Sequence, residues 1–205
     1  MFLSQVIIIN PNLHFRLMGN TKLESEDNIE ISEKLPLFSL TIEKGVTPKT
    51  ERYERGFLVK SDEKKYKLTK FNDIVYNPAN LRFGAIALNK INEDVLLSPI
   101  YEVLFIKNNE KYDINFISDI LTSSRQILIF SKKAEGTLVE RMAVKIDAFL
   151  NTKIKIPKDI KEQKAISDVL STADKEIVLL EKELKKIKEQ KKGLMQLLLT
   201  GIVRV

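Results

Sequence analysis

The sequence predicts an α+β fold: a mixed, β-rich domain followed by a long C-terminal coiled-coil helix. Three observations carry this expectation. Short runs rich in Val, Ile, Tyr and Phe, parted by Gly- and Pro-containing turns, fill residues 35–106. Helical spacing replaces them after Asn109, and strands followed by helices is the α+β order. Residues 166–198 then carry an apolar seam with the period of a coiled coil.

In chain order, residues 6–9 read as a strand stopped by Pro11-Asn12, and the polar, acidic stretch 20–32 reads as a loop. LPLFSLT (35–41) reads as a strand. Residues 43–56 form a loop punctuated by Gly45, Pro48 and Gly56. FLVK (57–60) is a short strand and SDEKKYK (61–67) a polar turn. Residues 73–88 give two strands around a corner at Asn77-Pro78, and residues 94–106 add another pair broken at Ser98-Pro99. A compact mixed or antiparallel sheet accommodates these runs. Helical spacing at Ile114, Ile117, Ile120 and Leu121 predicts a helix over 113–123, and 125–133 follows as a second. Gly136-Thr137 turns the chain, 138–142 is extended, 147–150 is one helical turn, and 152–156 alternates like a last strand.

From Pro157 the pattern changes. Ile166, Leu170, Ala173, Ile177, Leu180, Leu184, Ile187, Lys191, Leu194 and Leu198 follow one another in alternating steps of four and three. Such a seam favours two helices wrapped left-handed around each other. Asp159 caps the start with Glu162 as its capping-box partner, and Gly201 suits the left-handed C′ position. The helix is roughly 60 Å long at its ordinary rise. Its stripe is too narrow for a helix buried in a globular core and wants one partner helix. No matching seam stands upstream, so the partner is an identical copy or a different subunit; a helix lying across its own domain is the plainer alternative. Lys191 interrupts the seam and can fix register.

The 205 residues are 43% hydrophobic and 30% charged, with one His and no Cys. Disulfides and thiolate metal sites are excluded, and a reducing cytoplasm is permitted. The lone His14 builds no metal site by itself. MFLSQVIIIN lacks the basic start and cleavage site of a signal peptide, and no apolar run nears the roughly 20 residues of a membrane span. A net charge of +6 suits a polyanionic partner.

Reacting groups are missing. Asn77-Pro78-Ala79-Asn80 shares only its Asn-Pro with the Asn/Asp-Pro-Pro-aromatic motif of base methyltransferases, and no GxG loop exists for a methyl donor. Asp62-Glu63-Lys64 are consecutive on a polar turn and do not converge on one metal ion. No GxxxxGK[ST] loop is present for a nucleotide. No catalytic residue, metal ligand or cofactor is therefore assigned. The basic residues Lys44, Lys49, Arg52, Arg55 and Arg82, in segments punctuated by Gly and Pro, are candidates for DNA contact, with Tyr53 and Tyr76 beside them. Arg can grip a guanine edge through two hydrogen bonds, and Lys neutralises phosphate. The plainer alternative is a solvated charged face.

Ile156-Pro157, Glu162-Gln163, Ile166 and the closing Leu194-Met195-Gln196-Leu197-Leu198-Leu199-Thr200-Gly201, with Arg204, resemble the conserved region of Type I restriction-modification specificity subunits. Ile202-Val203 stand where that family more often has Lys-x. The middle of the chain is similar to the family's target recognition domains at residues 37–41, Gly45-Val46, Tyr76-Asn77-Pro78, Gly84-Ala85-Ile86 and Ser98-Pro99-Ile100-Tyr101. The resemblance implies a half-size subunit, with a target recognition domain over 1–156 and a spacer helix over 157–205 for dimerisation and subunit docking. It implies a non-catalytic, cytoplasmic protein that binds double-stranded DNA as a homodimer and directs a modification (methyltransferase) subunit, joined by a restriction subunit, to a bipartite target. The alternative from another class is a coiled-coil assembly protein whose globular domain binds protein.

Overall fold

The computed structural model describes residues 4–8, 15–17, 35–49, 66–106, 110–138 and 142–204. The chain divides after Gln163 into two compact units. The expected strand 57–60, the acidic loop 20–32 and His14 lie outside the described residues.

In the first unit the strands are β1 (Ser4–Ile8), β2 (Phe15–Leu17), β3 (Leu37–Thr41), β4 (Gly45–Pro48), β5 (Lys67–Thr69), β6 (Ile74–Tyr76), β7 (Ile86–Leu88), β8 (Val95–Leu97), β9 (Glu102–Ile106) and β10 (Lys153–Pro157). They form three sheets rather than one. β2-β9-β6-β7 is antiparallel throughout, β4-β3-β8-β5 contains the parallel pair β3–β8, and β1 pairs antiparallel with β10. The helices α1 (Ile114–Thr122), α2 (Ser124–Lys132) and α3 (Ile146–Leu150) follow the sheets in the chain.

The middle sheet is covered on both faces. Ile74, Val75 and Tyr76 of β6 are all buried, because successive side chains point to opposite faces and neither face meets water. Ile74, Tyr76, Leu104 and Ile106 face a core shared with Phe116, Ile117 and Leu121 of α1, Phe130 of α2, Phe149 of α3 and Ile154 and Ile156 of β10. Val75 and Val103 face a second core with Phe38, Leu40, Val46, Val95 and Leu97 of the other sheet. In the first core the Tyr76 ring stacks on Phe149 at 4.6 Å, and Phe149 on Phe130 at 5.1 Å. Lys67 of β5 donates to the Glu102 carboxylate of β9 at 2.7 Å, a half-buried ion pair joining strands of the two sheets.

Several elements differ from the sequence expectation. Residues 45–48 pair with β3 as a hairpin rather than forming a loop, since Thr41 and the left-handed Gly45 (φ +67°) close a tight turn. Lys67 opens a strand instead of closing a turn. The break at Ser98-Pro99 separates β8 from β9 as expected, yet the two strands do not pair; the break carries the chain from one sheet to the other. α1 and α2 are distinct because Ser123 ends the first and caps the second, accepting from the Gln126 N–H at 3.3 Å.

The long helix α4 spans Ile160–Leu199. Asp159 caps it through a bond from the Lys161 N–H at 2.9 Å, one position short of the expected capping-box geometry. Its first turn is fastened by Gln163, which is fully buried. The Gln163 amide donates to the carbonyls of Pro157 (2.9 Å) and Lys111 (3.3 Å) and accepts from the Asp113 N–H (3.0 Å). In the second unit, residues 164–205, the apolar seam positions are exposed. Gly201 takes the expected left-handed conformation at φ +71°, with its N–H donating to the Leu198 carbonyl and the Val203 N–H to that of Leu197. Among the described residues no helix is long and apolar enough to cross a membrane.

Two predictions follow from these contacts. Gln163→Ala orphans two carbonyls and one N–H, so unfolding in urea should show a loss of about 1–3 kcal/mol. The second concerns Asp73, whose buried carboxyl accepts from the Lys70 N–H at 2.6 Å. Burial raises it from 3.8 to about 6, the Lys70 N–H and charge pull it down, and Asp94 pushes it up. Between those values the folded chain holds a proton that the unfolded chain has lost, so this group lowers stability as pH rises through that window and adds no slope above it. Asp73→Asn should remove that part of the fall, read as urea midpoints at about pH 4 and about pH 7. An identical change in parent and variant would discard the assignment.

Candidate nucleic-acid interface

The basic residues fall on two local structures. The first is the β3–β4 hairpin, where the Thr41 hydroxyl donates to the Gly45 carbonyl at 3.3 Å and accepts from the Lys44 N–H at 3.2 Å. This fixes a three-residue tip, Ile42-Glu43-Lys44, with all three side chains exposed.

The second is the corner between β6 and β7. Asn77 organises it. Its side chain accepts from the Ala79 N–H (3.0 Å), and its carbonyl accepts from the N–H groups of Asn80 (3.1 Å) and Leu81 (2.7 Å). A 3-10 turn, Leu81–Phe83, follows and ends at Gly84 with φ +98°. Leu81 plugs the first core, and the Pro78 carbonyl accepts from the Val144 N–H at 2.9 Å. The corner is thus held from below; Phe83 projects from it, while Arg82 is half-buried with its Nε shielded from solvent. The Arg82 guanidinium lies 4.5 Å above the centre of the Phe83 ring, and that ring is 58% exposed.

The hairpin tip and the corner abut. A Cβ placed on Gly84 would lie 3.8 Å from the Ile42 side chain, and one on Gly45 would lie 3.2 Å from the Ala87 Cβ. Lys44 and Arg82 therefore sit within two residues of one junction, although 38 positions separate them in the chain. Lys49 stands at the other end of the hairpin, where its N–H donates to the Leu37 carbonyl at 3.0 Å. Arg52, Tyr53 and Arg55 lie outside the described residues.

Tyr76 corrects the expectation. Its side chain is fully buried in the first core, stacked on Phe149, and its hydroxyl has no hydrogen-bond partner among the described residues. Burial, then the charges of Glu102 and Asp147, push its ionisation far above the usual phenol range. A ring in that position presents no face to DNA. Ile42 and Phe83 are the surface residues that sequence reasoning passed over; nothing in the local pattern marks an exposed Phe against a buried one. Among the described residues no cluster of three or more His, Cys, Asp or Glu could hold a metal ion.

Comparison with known proteins gives a consistent family. Residues 19–189 match the family model described as the Type I restriction modification DNA specificity domain. The chain is 37% identical over 101 residues to the Type I restriction enzyme MjaVIII specificity subunit of Methanocaldococcus jannaschii, covering 49% of this chain and 23% of that protein. Its fold is similar to the crystal structure of the Type-I restriction-modification S subunit from M. genitalium, with a TM-score of 0.61 at 16% identity, over 96% of this chain and 46% of that one. The HsdS subunit of Thermoanaerobacter tengcongensis is similar at a TM-score of 0.58 and 15% identity, over 94% and 47% respectively. The chain thus spans about half the length of these structural relatives.

The junction depends on its glycines. Gly45→Ala forces a left-handed backbone on a residue with a Cβ and crowds Ala87, so a loss of about 1–3 kcal/mol is expected. Gly193, in mid-helix with nothing within 4 Å of an added Cβ, is the control. There alanine should stabilise the helix by roughly 0.8–1 kcal/mol. Thermal melts of both variants, with opposite shifts, check the pair.

Proposed function

The chain belongs to the Type I restriction-modification DNA specificity family, and on that premise we propose that it reads DNA sequence for a Type I restriction-modification complex without catalysing a step itself. The carrying observation is a specificity-domain match that runs through strands β3 to β10 and most of the long helix. Residues 1–156 act as the target recognition domain and residues 157–205 as spacer and docking helix. The hairpin–corner junction is the contact edge. Arg82, steadied over Phe83, faces a base edge or phosphate; Lys44 neutralises phosphate; Ile42 and Phe83 offer apolar contact to a thymine methyl or sugar.

Two such chains joined through their helices bring two recognition domains to one DNA, which suits a bipartite, inverted-repeat target. A modification subunit docks on the helix and supplies the methyl transfer, and a restriction subunit can join the assembly. Val178, Leu179 and Leu199 are exposed, apolar and outside the seam, which leaves them for such a docking surface. The complex works in the cytoplasm, where its DNA is.

The test is selection from random-sequence duplex DNA with the modification subunit present, followed by salt titration of the selected site. Lys44→Ala should weaken binding about equally on all sequences and lower the salt slope by about one. Arg82→Ala should cost about 1–3 kcal/mol and relax preference at one base position if it reads a base. Affinity indifferent to sequence, together with no response to either substitution, would sink the reading in favour of a coiled-coil assembly protein.

A further inference from the structure

The Asn77-Pro78-Ala79-Asn80 run at the β6–β7 corner gives its two amides different tasks. The Asn77 side chain is used inside the protein, on the Ala79 N–H at 3.0 Å. Asn80 stands at the cap of the 3-10 turn, where an Asn side chain ordinarily bonds back to the backbone. Here it makes no such bond and is exposed. We propose that Asn80 is a specificity-determining residue: its carboxamide reads an adenine in the major groove while the Phe83 ring covers the methyl of the paired thymine. The inference deepens the functional reading above and rests on it, since it takes the hairpin–corner junction as the DNA edge and assigns that edge a base pair.

The main chain of Asn80 is fixed on both sides. Its N–H donates to the Asn77 carbonyl at 3.1 Å, and its carbonyl accepts from the N–H groups of Phe83 (2.9 Å) and Ala85 (3.2 Å). Leu81, the next residue, is fully buried. A short exposed side chain on so fixed a backbone loses little freedom on binding. Asn80 and Phe83 are three residues apart, the interval at which side chains eclipse along a 3-10 turn. The amide and the exposed ring therefore stand on one side of the corner. The Arg82 guanidinium over that ring, and Lys44 at the neighbouring hairpin tip, supply positive charge beside them.

Hydrogen-bond chemistry selects the base. A carboxamide offers a donor beside an acceptor. Adenine presents its N7 acceptor beside its N6 donor in the major groove, so both halves of the amide are met at once. Guanine presents two acceptors there, cytosine only a donor and thymine only an acceptor. Each of these leaves half of the amide unpaired in the interface, which is costly. In the minor groove an A·T pair shows acceptors alone, and the amide oxygen finds no donor. The thymine methyl also lies in the major groove, on the same base pair, so a ring beside the amide meets an apolar surface.

Selection from random-sequence duplexes, by the chain together with the modification subunit, first gives the preferred site. Each A·T pair of that site is then altered in turn: adenine to 7-deazaadenine, which lacks the N7 acceptor, and thymine to uracil, which lacks the methyl. At one pair the deaza change should weaken binding of the parent about tenfold or more. Asn80→Ala should lose the preference for adenine at that pair and no longer respond to the deaza change. Phe83→Ala should lose the response to uracil at the same pair. Asn80→Asp is isosteric but only accepts, and should move the preference there from adenine towards cytosine. Unchanged melting temperatures of the Asn80 variants assign these losses to binding. A parent that selects a site yet responds to 7-deazaadenine at no pair overturns the proposal. So does Asn80→Ala if it keeps every base preference, or weakens all sequences equally as a phosphate contact would. In those cases the selected site still stands, and the functional reading with it. A parent that selects no sequence removes that reading and this proposal together.

Discussion

Burial of one sheet on both faces governs the first unit. Ile74, Val75 and Tyr76 are all buried, so β6 has no face that tolerates water. The helices must close one side and the β4-β3-β8-β5 sheet the other. Each fully buried aliphatic or aromatic side chain contributes about 1.5–3 kcal/mol relative to exposure, so an unpacked layer on either side would be costly. The β6–β7 corner inherits this rigidity. Leu81 is locked in the core beneath it, so the exposed Phe83 and the half-buried Arg82 that stacks on it stand on a fixed base.

Gln163 performs a comparable task with polar atoms. A buried amide is costly unless its donors and acceptor find partners, and here the acceptor and donors are used within one turn of the helix start. The backbone groups it satisfies come from the β10 exit and the α1 entry, so three segments are tied at one point. Beyond it the helix economy is reversed. Leucine and isoleucine at coiled-coil spacing remain in water along the second unit, and that arrangement is stable in a chain that has a partner to cover them.

The candidate interface shows where residue type alone misleads. Lys44 and Arg82 stand beside turns in the sequence, and the structure carries them to a common junction through two glycine-dependent bends. Tyr76 also stands beside a turn, yet it sits in the core. It ends a strand buried on both faces, and a Tyr by its residue type suits either a core or a contact surface. Ile42 and Phe83 escaped notice for the converse reason: an apolar residue beside a turn reads as core until its neighbours are known.

The sequence by itself determined what is local: the α4 seam and its C-cap, the helix positions, the run of β3, the corner at Asn77-Pro78 and the break at Ser98-Pro99. These depend on period, capping chemistry and the backbone limits of Pro and Gly, all expressed within a few residues. Only the tertiary structure decided that β3 lies parallel to β8, that β1 closes on β10 across almost the whole domain, and that β8 and β9 part company. Strands of three to five residues carry too little pattern to name a partner, and the choice rests on which faces are left to bury once the whole chain has packed.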